Sequence, residues 1–174
     1  TVTPNYRART LVSVVKGGAG SGTVTSTAIS CGADCSEAIF DGKSVILTAT
    51  PAVGSQFVGF GGACISSTKT CTFVPAGDSQ NVSATFALIP YTLTVVSRSN
   101  GNVALSAADP VDCGNSATDC TSTLDYGTVV SMQATPNAGS RFVSWAGAIC
   151  TGGAAANPCV FALKANTTVT PTFR

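Results

Sequence analysis

The chain has 174 residues, 44% of them hydrophobic and 10% charged, with a formal net charge of +1 and no histidine. Charged residues fall well below the ~25% of an ordinary soluble domain, and the chain carries no basic stripe to neutralise phosphates, which excludes nucleic-acid binding. No apolar run approaches the ~20 residues of a membrane span, and the lack of a signal peptide sets the expectation of a mature or excised segment.

The first seven residues, Thr1, Val2, Thr3, Pro4, Asn5, Tyr6 and Arg7, match the last seven, Thr168-Val169-Thr170-Pro171-Thr172-Phe173-Arg174, at five positions. Residues 1–8 are therefore expected to form a strand resembling the closing strand of a preceding repeat, and residues 1–7 an assembly strand. A first repeat is expected over 9–87. Its β-branched run Leu11-Val12-Ser13-Val14-Val15 reads as a strand. Gly17, Gly18, Gly20 and Gly22 make a loose turn, and Thr23-Val24-Thr25-Ser26 returns. Ala38-Ile39-Phe40 leads to a turn at Asp41-Gly42.

The stretch that organises the chain follows. Val45, Leu47 and Ala49 alternate with Ile46, Thr48 and Thr50, so one face is buried. Pro51 ends the ladder, Gly54 turns the chain, and Phe57-Val58-Gly59-Phe60 runs out, which predicts a hairpin. The pattern returns as Val130, Met132, Ala134, Pro136, Gly139 and Phe142-Val143-Ser144-Trp145. Self-similarity at this separation defines a tandem repeat with two units of roughly 80 residues. Phe73 and the alternation Val82, Ala84, Phe86 complete the first unit, and residues 88–90 are a short linker, too apolar for a floppy tether, that implies touching units at a fixed angle. The second unit, 91–174, replays the order from Tyr91-Thr92-Leu93-Thr94-Val95-Val96, and Pro171 predicts an edge strand because it cannot donate to a ladder. The expected core is Val45, Leu47, Ala49, Phe57, Phe60, Phe73, Val82 and Phe86, then Val130, Met132, Ala134, Phe142, Trp145, Phe161, Val169 and Phe173. No helical pattern of useful length occurs, so the fold class is all-β, mainly antiparallel, as two small grasp-like or sandwich-like repeats.

Eight cysteines fall four to a unit at corresponding places: Cys31, Cys35, Cys64 and Cys71, then Cys113, Cys120, Cys150 and Cys159. Matched even counts in a low-charge chain read as disulfides and an oxidising compartment. The rival is zinc. It lacks any histidine, and the spacing within pairs drifts between copies, which a loop-closing disulfide tolerates and a metal site resists. Local pairing is favoured among the possible connectivities, each bridge contributing roughly 2–2.7 kcal/mol in the chain-entropy picture.

Little supports catalysis: no histidine can act as base, and pairing accounts for the thiols. Asp34, Glu37 and Asp41, and Asp109, Asp112, Asp119 and Asp125, read as turn formers; no calcium-ligand spacing is present. Asn81-Val82-Ser83 and Asn166-Thr167-Thr168 match glycosylation sequons. Trp145, whose counterpart is Phe60, reads as core, with stacking on a sugar as the alternative.

The ordered set Gly-x-Val, Cys-Gly…Cys, Ala-Thr-Pro-x-x-Gly-Ser-x-Phe-Val-x-Phe/Trp, Gly-Ala…Cys, Cys-x-Phe and Val-x-Ala/Pro-Thr-Phe occurs twice across nearly all of 9–174, preceded by a strand that reads Leu-Thr-Val in the second copy. It resembles the divergent internalin-type B-repeat of bacterial surface proteins. The resemblance implies a small, mainly β, grasp-like repeat and a stalk, adhesive or matrix role, with no catalytic motif. The resulting expectation is a structural or adhesive segment of a secreted bacterial cell-surface protein, without cofactor, whose partners are itself or adjacent repeats and surface glycans. The alternative is a carbohydrate-binding accessory module of a secreted enzyme.

Overall fold

The computed structural model describes residues 8–96, 100–115 and 117–174. The proposed assembly strand, residues 1–7, lies outside them. The chain divides into two compact units, one ending at Ile89 and the other starting at Pro90. No helix occurs among the described residues.

Unit 1 contains β1 (Arg9–Gly17), β2 (Gly22–Thr25), β3 (Ser30–Cys31), β4 (Ser36–Phe40), β5 (Val45–Pro51), β6 (Ser55–Gly62), β7 (Thr70–Phe73) and β8 (Ser79–Leu88). They form two four-stranded sheets, ordered β4-β1-β8-β6 and β3-β2-β5-β7. Unit 2 contains β9 (Pro90–Val95), β10 (Gly101–Leu105), β11 (Val111–Gly114), β12 (Ala117–Asp119), β13 (Thr121–Asp125), β14 (Val129–Pro136), β15 (Phe142–Ala146), β16 (Cys159–Ala162) and β17 (Thr167–Phe173). Its sheets run β13-β9-β17-β15 and β12-β11-β10-β14-β16. β12 is an addition to the plan of unit 1. Leu88 closes β8 and Pro90 opens β9, so Ile89 alone stands between the strands.

Among the described residues, pairing is antiparallel with one exception in each unit. The first and last strands run parallel, Val14 beside Val82 in unit 1 and Val95 beside Val169 in unit 2. The residues that alternate inward from both sheets make one core per unit. In unit 1 it holds Val12, Val24, Ile29, Leu47, Phe60, Val82 and Phe86. In unit 2 it holds Leu93, Val103, Met132, Trp145, Leu163 and Val169. Phe57, Phe73, Phe142, Phe161 and Phe173, expected inside, are only partly buried and pack against the margin of the core. Ile29 and Leu163, which sit outside the strands, are buried without any periodic pattern to announce them.

The expected hairpin is a crossing between layers. β5 and β6 belong to different sheets, as do β14 and β15. Pro51 has no N–H with which to extend its ladder. A turn follows in which the Ser55 N–H donates to the Ala52 carbonyl at 3.0 Å, with Gly54 at φ 76°. Ser140, Asn137 and Gly139 repeat it, at 3.0 Å and φ 83°. Glycine occupies the left-handed region without a Cβ penalty. Pro171 also departs from expectation: β17 lies between β9 and β15 and is not an edge strand. Its described pairing with β9 stops at Val169, and Pro171 faces Trp145 of β15.

Gly22 and Gly101 open corresponding strands and lie against the rings of Phe86 and Phe173. A Cβ added at either would sit 2.4 Å from the ring. Overpacking of this kind costs about 1–3 kcal/mol. Gly22→Ala and Gly101→Ala are therefore expected to lower the stability of their own units by that amount in denaturant titrations. Gly17→Ala, with nothing within 4 Å, should stay within ~0.5 kcal/mol of the parent. Equal effects at the three positions would contradict this packing.

Candidate functional site

The candidate site is the set of disulfide loops and the sheet edges they cover. The first disulfide of each unit marks the passage from one sheet to the other. Cys31 ends β3 and Cys35 precedes β4, with Cα atoms 4.2 Å apart. The Val14 N–H donates to the Cys35 carbonyl at 2.8 Å, and the Cys31 sulfur lies 3.7 Å from the Val14 carbonyl oxygen. In unit 2 Cys113 lies on β11 and Cys120 precedes β13, 4.7 Å apart. The Val95 N–H again donates to the Cys120 carbonyl at 2.8 Å, with the Cys113 sulfur 3.4 Å from the Val95 oxygen. The longer loop with its extra strand thus leaves the staple against β1 or β9 unchanged.

The second disulfide bounds a loop that lies along an edge. β6 and β15 each end a sheet, and an edge strand presents unpaired backbone groups to any other chain. Cys64 and Cys71 bound the loop in unit 1. There the Phe60 N–H donates to the Ser66 carbonyl at 2.7 Å, and the Ser66 N–H returns to the Phe60 carbonyl at 3.3 Å. Cys150 and Cys159 bound it in unit 2. There the Trp145 N–H donates to the Ala154 carbonyl at 2.7 Å. The Ala49 N–H of β5 donates to the Lys69 carbonyl at 2.7 Å. Its counterpart, the Ala134 N–H of β14, donates to the side-chain oxygen of Asn157 at 2.9 Å, and the Asn157 amide donates back to the Ala134 carbonyl at 2.8 Å. The longer loop of unit 2 therefore substitutes a side chain for a backbone group and keeps the β14 backbone satisfied beyond the end of its ladder with β16.

Trp145 is 3% exposed. Its indole N–H donates to the Ala156 carbonyl at 2.8 Å, and its ring lies 5.1 Å from that of Phe142. A stacking platform has to offer an open ring face, and this ring is enclosed, so Trp145 is core and not a sugar-stacking residue. The carboxylates of Asp41, Asp109 and Asp112 accept hydrogen bonds from nearby backbone or side-chain groups. Asp109 accepts from the Thr123 N–H at 2.6 Å on the outer strand β13, while the Ser122 hydroxyl donates to the Asp109 carbonyl at 2.6 Å. Thr10, fully buried, places its hydroxyl 2.6 Å from the Gly77 carbonyl and 2.9 Å from an Asp41 carboxylate oxygen. Asp112 accepts from the Asn102 amide at 2.5 Å. No cluster of three or more potential metal ligands occurs among the described residues. Sequence reasoning missed the edge-capping role of Asp109, since nothing local places it beside Thr123.

The model of the divergent InlB B-repeat domain matches residues 12–90 and again 91–174. Among solved structures, a Bacillus anthracis TIE protein superposes with a TM-score of 0.52 and 8% identity, over 95% of this chain. The match takes in 34% of that protein, so this chain spans about a third of its length. The likeness shows the fold alone. The major pilin protein T-13 of Streptococcus pyogenes gives a TM-score of 0.41 at 7% identity, over 95% of this chain and 96% of the pilin. No curated protein matches in sequence.

Opening the loop of unit 1 tests its role. Cys64→Ser with Cys71→Ser is expected to cost about 2–3 kcal/mol of stability and to speed hydrogen exchange at the Phe60 amide, with slower amides of unit 2 unaffected. Unchanged exchange at Phe60 would show that the loop guards the edge without its disulfide.

Proposed function

The chain belongs to the divergent InlB B-repeat family, and from that premise we propose that it is a structural and adhesive segment of a secreted bacterial cell-surface protein. It forms part of a stalk, adhesin or extracellular fibre in which repeats or subunits join through β-strands. Four disulfides, two in each unit, support an oxidising, extracellular setting. No helix among the described residues is long and apolar enough to cross a membrane.

The observation that carries the assembly reading is the near-duplication of the closing-strand sequence. Residues 168–174 supply most of β17, a strand flanked by β9 and β15, and residues 1–7 match them at five of seven positions. The spacing matches to within one residue. Seven positions separate Phe86, near the end of β8, from Leu93 in β9, and six separate Tyr6 from Val12 in β1. Residues 1–7 thus stand to unit 1 as the closing strand of unit 1 stands to unit 2. Such a strand needs a partner on each side, supplied by another repeat of the same kind, whether covalently joined or in a neighbouring subunit by strand addition. Head-to-tail contacts of that type do not close on themselves and propagate as filaments. The accessory-module alternative loses its anchor with the burial of Trp145.

Light scattering and electron microscopy of the chain with and without residues 1–7 test this reading. The intact chain is expected to form end-to-end particles whose mass rises with concentration, and the shortened chain to stay monomeric. A monodisperse intact monomer would overturn strand-mediated assembly.

A further inference from the structure

The outer face of the sheet β3-β2-β5-β7 is a threonine lattice. The outward positions of its three longer strands are Thr23 and Thr25 on β2, Ile46, Thr48 and Thr50 on β5, and Thr70 and Thr72 on β7, all exposed. Six of the seven are threonine and none is charged. Their registers align them in rows across the strands. Ser30, Thr25, Thr48 and Thr70 are successive partners, so one row of hydroxyls crosses all four strands. Thr23 faces Thr50 in a second row, and Ile46 faces Thr72 in a third. Neighbouring strands lie about 4.8 Å apart and alternate residues about 6.8 Å apart, which sets the mesh of the lattice.

Among the described residues these six hydroxyls make no side-chain hydrogen bond, in contrast to Thr10, Ser66 and Thr68, which are committed to backbone carbonyls. The lattice is not a general property of the repeat. The matching face of unit 2 carries Asn102, Ala104, Ser131, Gln133, Thr135 and Val160, a single threonine among them, with Asn102 bonded to Asp112. High β-propensity alone would have placed threonine on both faces.

We infer that this face binds an extended, neutral polysaccharide, with the chain lying across the strands along the hydroxyl rows. A surface without charge selects a ligand without charge. Threonine offers a hydroxyl that donates and accepts and a methyl group beside it, which suits a sugar edge with alternating hydroxyls and C–H faces. A shallow sheet face has no pocket to enclose a single sugar, so the ligand is a polymer that many weak contacts hold at once. A second copy is the poorer occupant: Ile46 is the single large apolar residue on the face, too little to bury in a stable interface. The inference rests on the adhesive reading above and names the ligand class for it.

Adsorption of the purified full chain to microcrystalline cellulose and to chitin powder tests it, repeated without residues 1–7 so that loss of assembly and loss of binding are read separately. Saturable adsorption to at least one solid is expected, unchanged by about 1 M salt because no charge takes part. Thr25→Val, Thr48→Val and Thr70→Val together keep the side-chain shape and remove one row of hydroxyls. This triple variant should adsorb at least tenfold more weakly with an unchanged melting transition, while Ser131→Ala in unit 2 leaves adsorption as it was. No saturable adsorption to either solid, salt-sensitive adsorption, or a triple variant that binds like the parent would overturn the proposal. So would self-association of the parent that the triple variant abolishes, which would give the face to a second copy.

Discussion

Each unit is closed by the parallel pairing of its first strand with its last. β1 pairs β8 from Leu11 beside Ser79 to Gly17 beside Thr85, and β9 pairs β17 from Leu93 beside Thr167 to Val95 beside Val169. The final strand then sits inside its sheet, with β6 or β15 on its far side. A repeat is therefore incomplete until its last residues arrive. Val82, Phe86 and Val169 on these strands belong to the cores, so the closing strand supplies apolar contacts as well as ladder hydrogen bonds. Because the loop that it closes spans the unit, the contact is costly in entropy and rewarding once made. Under the proposed function, the same architecture would let a second closing-strand sequence serve assembly.

The two disulfides divide the remaining work. One holds the layer crossing against β1 or β9, where the carbonyl of Cys35 or Cys120 takes the last valine amide of the inner strand's buried run. The other bounds the loop whose carbonyl takes the Phe60 or Trp145 amide on an outer strand. An open sheet edge can pair with any other chain, and covering it with a loop is one recognised means of preventing that. Asp109, capping Thr123 on β13, serves the same end on the opposite side of the sheet in unit 2. The low charge of the chain makes such covers more necessary, since charged edge side chains are scarce.

Local pattern carried much of this architecture. The alternation in β5 and β14 names the buried face correctly, and Pro51 with Gly54 marks a turn in the right place. What local pattern lacks is the partner of the outgoing strand. Phe57 and Phe60 read as the second arm of a hairpin, yet β6 pairs with β8, more than twenty residues further on. For the same reason Pro171 suggested an edge where β17 is an inner strand. The burial of Trp145 was readable from its alignment with Phe60, but the acceptor of its indole N–H, Ala156, lies in a loop with no periodicity. The threonine lattice was invisible for a further reason: Thr25, Thr48 and Thr70 become neighbours only through the registers of β2 with β5 and of β5 with β7.

Under the proposed function, the closing strand is a separable part that a strand of closely similar sequence can replace. Complementation of a chain shortened by its last eight residues tests it most directly. Amide exchange would be followed in β9 and β15, with unit 1 as internal control, before and after addition of a peptide with the sequence of residues 1–7. The shortened chain is expected to lose protection in unit 2 and to regain it on adding the peptide, with a scrambled peptide inert. Protection in unit 2 that survives the truncation, or that the peptide does not restore, would contradict the account.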